Sequence, residues 1–571
     1  MQEVVMKGTH LFFRILSLLL ATLFVLTAFS ACGEDKPQEE KKEYLDISGY
    51  LIVRRDASAA RVTNETADLK KTIESELGVT LTVNVDWYNP NTPPDPNAKE
   101  ILVDKTNRKE SEDALAKLEG MPDDSYIIDI TENKIAIVGK STIGTVRAIQ
   151  YFVNNYVLTS EEKGKIDLSS GKTFTKDYDI VQNIFIDDKL DMDVEVKSTL
   201  IEVPKSGYVD LLGETSIIST THYPSVLELK YQKNEEDNGK LIAIFNLNAR
   251  PAKGGAGNQG AVWESSDGGA SWKLIARPSE TIDRSITGIS MAHIYELPAQ
   301  VGDMPAGTLL YSGNSVNYDR KSHIGVWRSF DAGYTWEEYV IIAKAGGLKE
   351  GIWEPFMWYE ESDGYLYCFY SDDSDPKHDQ KLVYKRSKDG VKWSEIYDVC
   401  TFDDPTDRPG MFVMTKMGNG EYFMVYEYVG GDGALIYYKT TTDITSWNPT
   451  DPGTRLEAAY KSGTYMVGSA PSCRWTPAGG DCGTLLATGM WERNGDGKHR
   501  IFVSFDYGKT WETIENPLPY DNKNDVKETD RIGYSPSFVI GSDPSVIYYM
   551  NTTDTPEGLQ RIQFARLKIV E

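Results

Sequence analysis

Two glutamates stand in aromatic surroundings in the second half of this chain. Glu354 lies in the phrase IWEPF and Glu427 in VYEYV, and both phrases read as β-strands. Two carboxylates that face one sugar can hydrolyse a glycosidic bond: one protonates the leaving oxygen, and the other attacks the anomeric carbon or activates water. An apolar surround raises a carboxylate's pKa, as the acid requires. The pair therefore predicts a glycosidase site, whereas a single strand glutamate is more often a solvated or locally paired residue.

A repeated phrase indicates which elements hold the two glutamates. The five copies are SSDGGASW (265–272), SFDAGYTW (329–336), SKDGVKW (387–393), TTDITSW (441–447) and SFDYGKTW (504–511). Their aspartates are 64, 58, 54 and 63 residues apart, a spacing typical of repeat architectures. We interpret Asp267, Asp331, Asp389, Asp443 and Asp506 as turn residues, because Asp accepts hydrogen bonds from local backbone N–H groups and Gly permits positive φ.

Short alternating strands run from residue 193 to the end, without helical periodicity. Each repeat reads as strands A, B and C, then the Asp phrase, then strand D. The segment 193–571 is long enough for six repeats of about 60 residues, which predicts an all-β six-bladed β-propeller. Only strands A, B and C follow the last Asp phrase. We therefore predict that a strand between residues 193 and 220 supplies the missing D and closes the ring.

This strand order sorts residues between the two faces of the disc. The Asp phrases join C to D on one face, so A begins and B ends at the opposite face, which we call the mouth. Side chains at those positions converge around the central channel, the usual ligand site of a propeller. The candidates are His222, Tyr223, Trp353, Glu354, Asp372, Asp373, Arg408, Glu427, Trp491, Arg531 and Tyr534.

Family resemblance sharpens this prediction. The phrases that carry it are WEPF (353–356), FYSDD (369–373), DQKLVYKRSKDGVKW (379–393), RPGM (408–411) and VYEY (425–428). In this order they resemble glycoside hydrolase family 93, and the repeats resemble the Asp boxes, or BNR repeats, of sialidases. The resemblance extends over residues 215–571 and implies a sialidase-like propeller with exo-α-1,5-L-arabinanase activity and retention of anomeric configuration.

The same resemblance implies roles for the two glutamates. The family's catalytic glutamates fall in the WEP and YE phrases, which correspond to Glu354 and Glu427. We assign Glu354 as the acid/base and Glu427 as the nucleophile, and the reverse assignment stays open. The implied substrate is arabinan or an arabino-oligosaccharide.

Two rival functions stay open. A sialidase would clamp a substrate carboxylate with arginines and attack with a tyrosine, which Arg408, Arg531 and Tyr534 match in part. The arginine motif expected in its first blade is missing, since that strand reads THYPSVLEL. A non-catalytic glycan-binding propeller would keep the aromatic side chains without needing either glutamate.

Composition excludes other classes of function. The net charge of −26 argues against a nucleic-acid partner, which would require a basic stripe. The 6 histidines are scattered and the sequence contains no HExxH or CxxC motif, so we expect no catalytic metal and no cofactor. Calcium at an acidic loop such as NGDG would be structural. We expect a monomer.

The N-terminus predicts export. Lys7 and Arg14 precede an apolar run that ends at Cys32, which is typical of a signal peptide over residues 1–31. A short membrane anchor is the alternative, but the run falls short of the roughly 20 residues that span a bilayer. The FSAC ending resembles a bacterial lipobox, which implies a lipid on Cys32 and an extracellular, membrane-anchored protein. Residues 32–44 read as a charged tether.

A smaller α/β domain is predicted over residues 45–192. Its helices are expected from Glu65 to Leu77, with Gly78 as terminator, near 111–118, and from about Ile143. The EILV strand, the YIIDI/KIAIVG hairpin and the following GT-x-RA helix resemble the small N-terminal domain of family 20 hexosaminidases. That domain is not catalytic, so we assign no site residues to it.

The cysteines after residue 32 divide into two pairs. Cys473 and Cys482 flank a Pro-Gly turn and are candidates for a disulfide in an oxidising compartment. Cys368 on strand B and Cys400 on strand D are separated by strand C, about 9.5 Å apart by strand spacing, which is too far for a disulfide.

Overall fold

The computed structural model describes residues 42–570, except residues 92, 188, 254–259, 279–285, 318–321, 347–349, 431–432, 462 and 521–531. The signal peptide, Cys32 and Arg531 therefore lie outside the described residues. The chain forms two compact units, Met1–Asp179 and Ile180–Glu571. The predicted boundary at residue 193 falls inside a strand of the larger unit.

The described residues of the smaller unit form strands and three helices. Its strands are β1 (Tyr44–Asp46), β2 (Leu51–Arg54), β3 (Val83–Val85), β4 (Glu100–Val103), β5 (Tyr126–Ile130), β6 (Lys134–Gly139), β7 (Lys165–Asp167) and β8 (Thr173–Lys176). Six of them form one sheet in the order β3-β2-β4-β6-β5-β8, and β1 pairs with β7. The helices are α1 (Ala60–Thr72), α2 (Lys109–Ala116) and α3 (Thr142–Phe152).

The first helix follows its apolar spacing. Leu69, Ile73 and Leu77 are all buried, as their spacing on one face predicted. A π-helical turn (Ile73–Leu77) extends α1, and Gly78 ends it with a φ of 72°, a conformation that glycine adopts without a Cβ clash. A second π-helical turn, Val153–Val157, follows α3.

The larger unit is a propeller-like arrangement of antiparallel sheets, and its first two strands are β9 (Gln182–Ile186) and β10 (Leu190–Glu202). The next sheet contains β11 (Tyr208–Leu211), β12 (Glu214–Glu228), β13 (Leu241–Pro251), β14 (Val262–Ser265) and β15 (Lys273–Ala276). It is followed by β16 (Ile286–Glu296), β17 (Leu309–Asn317), β18 (Ser322–Ser329) and β19 (Glu337–Lys344). The third consists of β20 (Ile352–Glu360), β21 (Tyr365–Asp372), β22 (Lys381–Ser387) and β23 (Tyr397–Cys400).

Two more sheets of consecutive repeats follow. One contains β24 (Arg408–Lys416), β25 (Tyr422–Val429), β26 (Leu435–Thr441), β27 (Thr454–Arg455), β28 (Glu457–Tyr460) and β29 (Gly463–Gly468), joined by a strand from the next repeat. The other contains β30 (Ser472–Thr476), β31 (Thr484–Thr488), β33 (Ile501–Ser504) and β34 (Glu512–Ile514). The strand between them in the chain, β32 (Trp491–Arg493), pairs with β29 of the preceding sheet.

The last sheet joins the two ends of the larger unit. Its strands run β35 (Ser537–Ile540), β36 (Val546–Asp554), β37 (Gln560–Ile569), β10 and β9. The predicted pairing of an early strand with the final one is present, because β10 pairs antiparallel with β37. Strand β10 begins at Leu190, slightly before the predicted start at residue 193. Strand β9 pairs with β10 and adds a fifth strand to the sheet, which was not predicted.

The core of the larger unit lies between neighbouring sheets. Phe412 of β24 stacks on Phe369 of β21, with ring centroids 4.2 Å apart. Burial of one such side chain stabilises the fold by about 1.5–3 kcal/mol. Both rings belong to one buried cluster, which joins the sheets of β21 and β24.

The repeated Asp phrases form turns. Asp331 accepts hydrogen bonds from the Ser329 and Thr335 hydroxyls, at 2.8 and 2.6 Å, and from the backbone N–H of Thr335 at 2.8 Å. Trp336 of the same turn donates to the Gly333 carbonyl at 2.8 Å. Asp267 and Asp506 make the same bonds within their turns. These contacts give the aspartates a structural role.

Replacement of one turn aspartate should destabilise the propeller without touching the mouth. We expect Asp331→Ala to lower the free energy of unfolding by about 1 kcal/mol, because three hydrogen bonds at an exposed turn are lost to water. Urea unfolding monitored by tryptophan fluorescence measures the change. Glu395→Ala, an exposed carboxylate in the same unit, is the control, and an equal loss in both variants would contradict the turn assignment.

All four described cysteines are free thiols. The expectation for Cys368 and Cys400 is confirmed, since β22 lies between their strands. The candidate disulfide between Cys473 and Cys482 is not formed. Cys473 is buried, and the Cys482 carbonyl instead accepts a hydrogen bond from the Trp475 indole at 2.9 Å. In the described part of the chain no helix is long and apolar enough to cross a bilayer.

Candidate active site

Glu354 lies at an irregular point in the first strand of its sheet. The register between β20 and β21 shifts between Trp353 and Phe356, and Glu354 itself has a φ of 51°. Positive φ is uncommon for a residue other than glycine and costs of order 1–3 kcal/mol, so the surrounding structure must impose it. The bulge re-aims the Glu354 side chain relative to a regular strand.

The other sheets have the same irregularity at equivalent places. Positive φ also occurs at Tyr223 of β12, Met291 of β16 and Met411 of β24, and at Ala470 and Ser535, which lie just before β30 and β35. Four of the six residues precede a proline, in the phrases HYP, WEP, SAP and YSP. A register shift accompanies Tyr223, Met291, Glu354 and Met411, whereas Ala470 and Ser535 lie just before their strands.

Hydroxyl groups hold the Glu354 carboxylate on both sides. The Ser371 hydroxyl donates to Oε2 at 2.8 Å, and the Tyr223 hydroxyl donates to Oε1 at 3.2 Å. The Ser371 oxygen also accepts the Met411 N–H at 3.1 Å, so it links Glu354 to the next sheet. Burial raises the pKa of Glu354 to about 7, and the negative charges of Glu427 and Asp373 add to the rise.

Glu427 lies on the second strand of the next sheet, opposite Gly410. Its Oε2 accepts the Ser469 hydroxyl at 2.7 Å and the Ala470 N–H at 3.1 Å. A Cβ at position 410 would come within 2.3 Å of the Gln380 amide nitrogen, so this glycine keeps space beside Glu427. Burial raises the pKa of Glu427, whereas the hydrogen bonds from Ser469 and Ala470 and the Arg408 charge lower it.

These environments separate the two carboxylates chemically. Each carboxylate accepts two hydrogen bonds and is buried, but Glu354 has two negatively charged neighbours, which favour its protonated form, whereas Glu427 has the Arg408 charge, which favours its ionised form. Hydrogen bonds connect the two positions, since Ser371 donates to Glu354 and accepts the Met411 N–H, and the neighbouring Gly410 pairs with Glu427. One proton-donating and one ionised carboxyl group in one site can perform general acid and nucleophilic chemistry.

Three of the predicted mouth residues form a polar network beside the glutamates. The Trp353 indole donates to Asp373 Oδ2 at 2.9 Å, and Arg408 Nη2 lies 3.5 Å from the same oxygen. Arg408 also donates to Gln380 Oε1 at 2.6 Å. Burial raises the pKa of Asp373 to about 6, although the Trp353 bond and Arg408 charge oppose that rise.

Three further predicted residues lie near the Glu354 end of the channel. Tyr534 packs edge-on against Tyr223 at 5.0 Å between ring centroids, and against the His222 ring at 6.4 Å. Trp491 packs against the cluster of Tyr223, Met411, Ala470 and Met490. Aromatic surfaces of this kind can stack against a sugar ring.

Asp372 is placed differently from the other candidates. Its side chain is only 2% exposed, and its Oδ1 accepts the N–H of Ser374 at 2.8 Å and the hydroxyl of Ser374 at 2.5 Å. The carboxylate therefore orders the turn after β21, while the neighbouring Asp373 joins the network around Arg408.

Sequence reasoning missed the residues that orient the glutamates. Ser371, Ser469 and Gln380 have no distinctive spacing, and their role depends on strands that are distant in the chain. Among the described residues, no three His, Cys, Asp or Glu side chains are grouped so that they could hold a metal ion.

Comparison with family profiles and with curated proteins found no match. Solved structures do match. The family 93 α-L-arabinofuranosidase of Fusarium graminearum, in complex with arabinobiose, is 26% identical, with 66% of this chain and 98% of that chain covered and a TM-score of 0.54. An α-L-arabinanase of Penicillium chrysogenum complexed with arabinobiose is also 26% identical, with 65% and 98% covered and a TM-score of 0.53.

These similarities agree with the chemistry of the site. The matched enzymes are glycoside hydrolases, and their whole chains align with about two thirds of this one. The carboxyl pair at the mouth has the groups that such hydrolysis needs. The protein is therefore a glycoside hydrolase with a propeller like that of family 93.

Proposed function

We propose that the protein hydrolyses α-1,5-L-arabinan or arabino-oligosaccharides, from the chain end and with retention of configuration. The observation that carries this proposal is the pair of buried carboxylates at the mouth: the charges of Glu427 and Asp373 help to raise the pKa of Glu354 to about 7, whereas the Arg408 charge opposes the rise that burial causes in Glu427. Glu354 is the acid/base and Glu427 the nucleophile. The arabinobiose bound by the two similar enzymes supports the substrate class.

Product analysis tests this function. Linear and branched arabinan are digested and the products followed by anion-exchange chromatography and ¹H NMR. An exo-acting, retaining enzyme releases one short product from the earliest times with its anomeric configuration unchanged. A ladder of oligosaccharides would contradict exo action, and initial inversion would contradict the assigned roles. Retention also requires the two carboxyl groups to lie about 5 to 5.5 Å apart in a substrate complex.

A sialidase is the second candidate. The observation in its favour is the Tyr223 hydroxyl 3.2 Å from Glu354, because sialidases use a tyrosine nucleophile that a carboxylate can activate. Parallel assays on aryl arabinofuranosides and aryl sialosides separate the two functions. Turnover of neither substrate, with retained binding of oligosaccharides, would favour a glycan-binding propeller.

The proposal also covers the number of propeller blades and the type of the smaller unit. We propose six blades, the sixth being the sheet in which β10 and β9 complete β35, β36 and β37. We also propose that the smaller unit is a non-catalytic domain of the family 20 hexosaminidase accessory type, supported by its mixed sheet and three helices. A crystal structure of the mature protein tests both, and light scattering tests the proposed monomer.

We propose that a lipid on Cys32 anchors the protein outside the cell membrane, supported by the apolar run and the FSAC ending. We expect Cys32→Ala, or the signal-peptidase inhibitor globomycin, to leave the precursor unprocessed or release the protein. Fractionation followed by immunoblotting measures this. Membrane association of a normally processed Cys32→Ala protein would contradict the lipid anchor.

A further inference from the structure

A cavity of about 590 Å³ lies among the A strands of the propeller sheets. Glu354 and Tyr223 line one end of it, and the lining then follows β12, β16, β20 and β24 toward residues such as Glu228 and Lys416. Strands A and C of each sheet run in the same direction, because both are antiparallel to strand B. Strand C ends at the Asp turn, so strand A ends at the same face, and the far end of the cavity faces the Asp turns. Glu427 and Arg408 do not line the cavity, which therefore extends away from the mouth.

Arg474 lines this cavity from β30, and three of its five N–H donors are unused. Its Nη1 donates to the Met414 carbonyl at 2.8 Å and to the Cys473 carbonyl at 3.4 Å. Its Nε and Nη2 have no partner among the described residues, and neither atom is fully buried. This is the edge of a guanidinium that binds a carboxylate or phosphate through two parallel hydrogen bonds.

The Arg474 charge has no counter-ion in the described part of the chain. Burial accordingly lowers the pKa of Arg474. A buried cation is costly unless it is paired, so an unpaired arginine in a cavity points to a ligand that supplies the negative charge.

The carboxylates at the far end are already engaged with other groups. Glu296 accepts the N–H groups of Lys230 and Tyr231, and Glu228 accepts from Ser542. Glu360 forms an ion pair with Lys416 at 3.2 Å. Among the cavity carboxylates, Glu361 is exposed at the rim. None of them neutralises Arg474.

His293 adds a second donor to the same wall. Its Nδ1 accepts the Met357 N–H at 3.2 Å, which places the proton of the neutral ring on Nε2. Burial and the nearby Arg474 charge lower the pKa of His293 to about 3, so the ring stays neutral. Both side chains pack on Phe356: the His293 ring lies 4.8 Å from its centroid and the Arg474 guanidinium 5.8 Å.

Aromatic side chains supply the rest of the surface. Tyr231, Tyr295, Phe356 and Trp358 line the cavity and can pack against the body of a sugar-sized molecule. We propose that this cavity is a second binding site, for a small organic acid whose carboxylate is held by the free edge of Arg474 and by His293. A sugar acid suits both the charged anchor and the aromatic walls.

Calorimetric titration of the full mature protein with sodium glucuronate tests this site at fixed ionic strength. We expect saturable 1:1 binding of glucuronate, and no binding of glucose, which lacks the carboxylate. Arg474→Gln should weaken glucuronate binding by about 10- to 100-fold, because hydrogen bonds to a charged group are lost. Arg474→Lys keeps the charge but loses the two-bond edge, and should weaken binding less.

Two control variants locate the bound anion. Lys416→Gln removes a cavity cation that has its own carboxylate partner, and should retain glucuronate binding. Arg408→Gln removes the cation of the mouth, and should retain it as well. The proposal is overturned if the folded wild-type protein shows no saturable binding of glucuronate or acetate, if binding depends on Arg408, or if folded Arg474→Lys binds as tightly as wild type. Binding of phosphate but neither carboxylate would overturn the ligand class.

Discussion

We expect Glu427→Gln to abolish turnover of every arabinoside, and Glu354→Gln to spare substrates with a good leaving group. The reason is that no other group near the anomeric carbon replaces an attacking carboxylate, while an aryl leaving group needs little protonation. On arabinobiose, whose leaving group is a sugar hydroxyl, Glu354→Gln should lower kcat/KM by about 10²- to 10⁴-fold. Steady-state kinetics on arabinobiose and on a 4-nitrophenyl or dinitrophenyl arabinofuranoside measure the contrast.

Azide distinguishes the assigned roles from their reversal. In Glu427→Ala, azide can occupy the space of the carboxylate and attack directly, which gives a glycosyl azide of inverted configuration. In Glu354→Ala, azide intercepts the covalent intermediate and gives a product of retained configuration. Exchange of these two outcomes would reverse the roles. Asp372→Asn is the matched control, because its carboxylate orders a turn, and it should leave the kinetic contrast unchanged.

We expect kcat/KM to fall above about pH 7. Glu354 must be protonated to act as the acid, and burial together with the Glu427 charge raises its pKa to about 7. Each further pH unit should lower kcat/KM about tenfold, because only the protonated fraction reacts. The acid limb reflects Glu427, which must be ionised. Glu354→Gln, assayed on an aryl substrate, should lose the alkaline limb, and persistence of that limb would assign it to another group.

The same titration predicts a pH-dependent change in stability. Burial raises the folded-state pKa of Glu354 from its ordinary value of 4.5 to about 7, so the contribution of Glu354 to stability is present at low pH and is lost as the pH rises through 7. Glu354→Gln cannot ionise. Its Tm should therefore increase relative to wild type between pH 5 and pH 8, which differential scanning calorimetry measures. If the Tm difference between Glu354→Gln and wild type stays the same from pH 5 to pH 8, Glu354 is not buried as a protonated acid.

Local sequence patterns were sufficient for much of the fold. The Asp phrases predicted turns because their hydrogen bonds form within a few residues, as Asp331 shows with Ser329 and Thr335. Strand alternation then predicted which residues begin strand A or end strand B. The pairing of an early strand with β37 followed from counting strands, although the start of β10 and the added β9 did not.

The site was predictable only in part. The aromatic phrases around Glu354 and Glu427 could be read directly, and Trp353, Asp373 and Arg408 do come together. Sequence position alone could not separate the role of Asp373 from that of Asp372, because β21 ends at Asp372 and strand alternation does not extend to Asp373. The free edge of Arg474 had no sequence signal at all.

The sequence by itself determined which side chains are available at each end of the channel, because strand period and turn chemistry are local. Only the tertiary structure decided which of those side chains act together. The pKa of Glu354 depends on burial by several sheets and on Glu427, which is 73 positions further along the chain. The Ser469 hydroxyl and Ala470 N–H reach Glu427 from yet another repeat. Electrostatic interaction and desolvation depend on distance in space, and closure of the sheets into one body sets those distances.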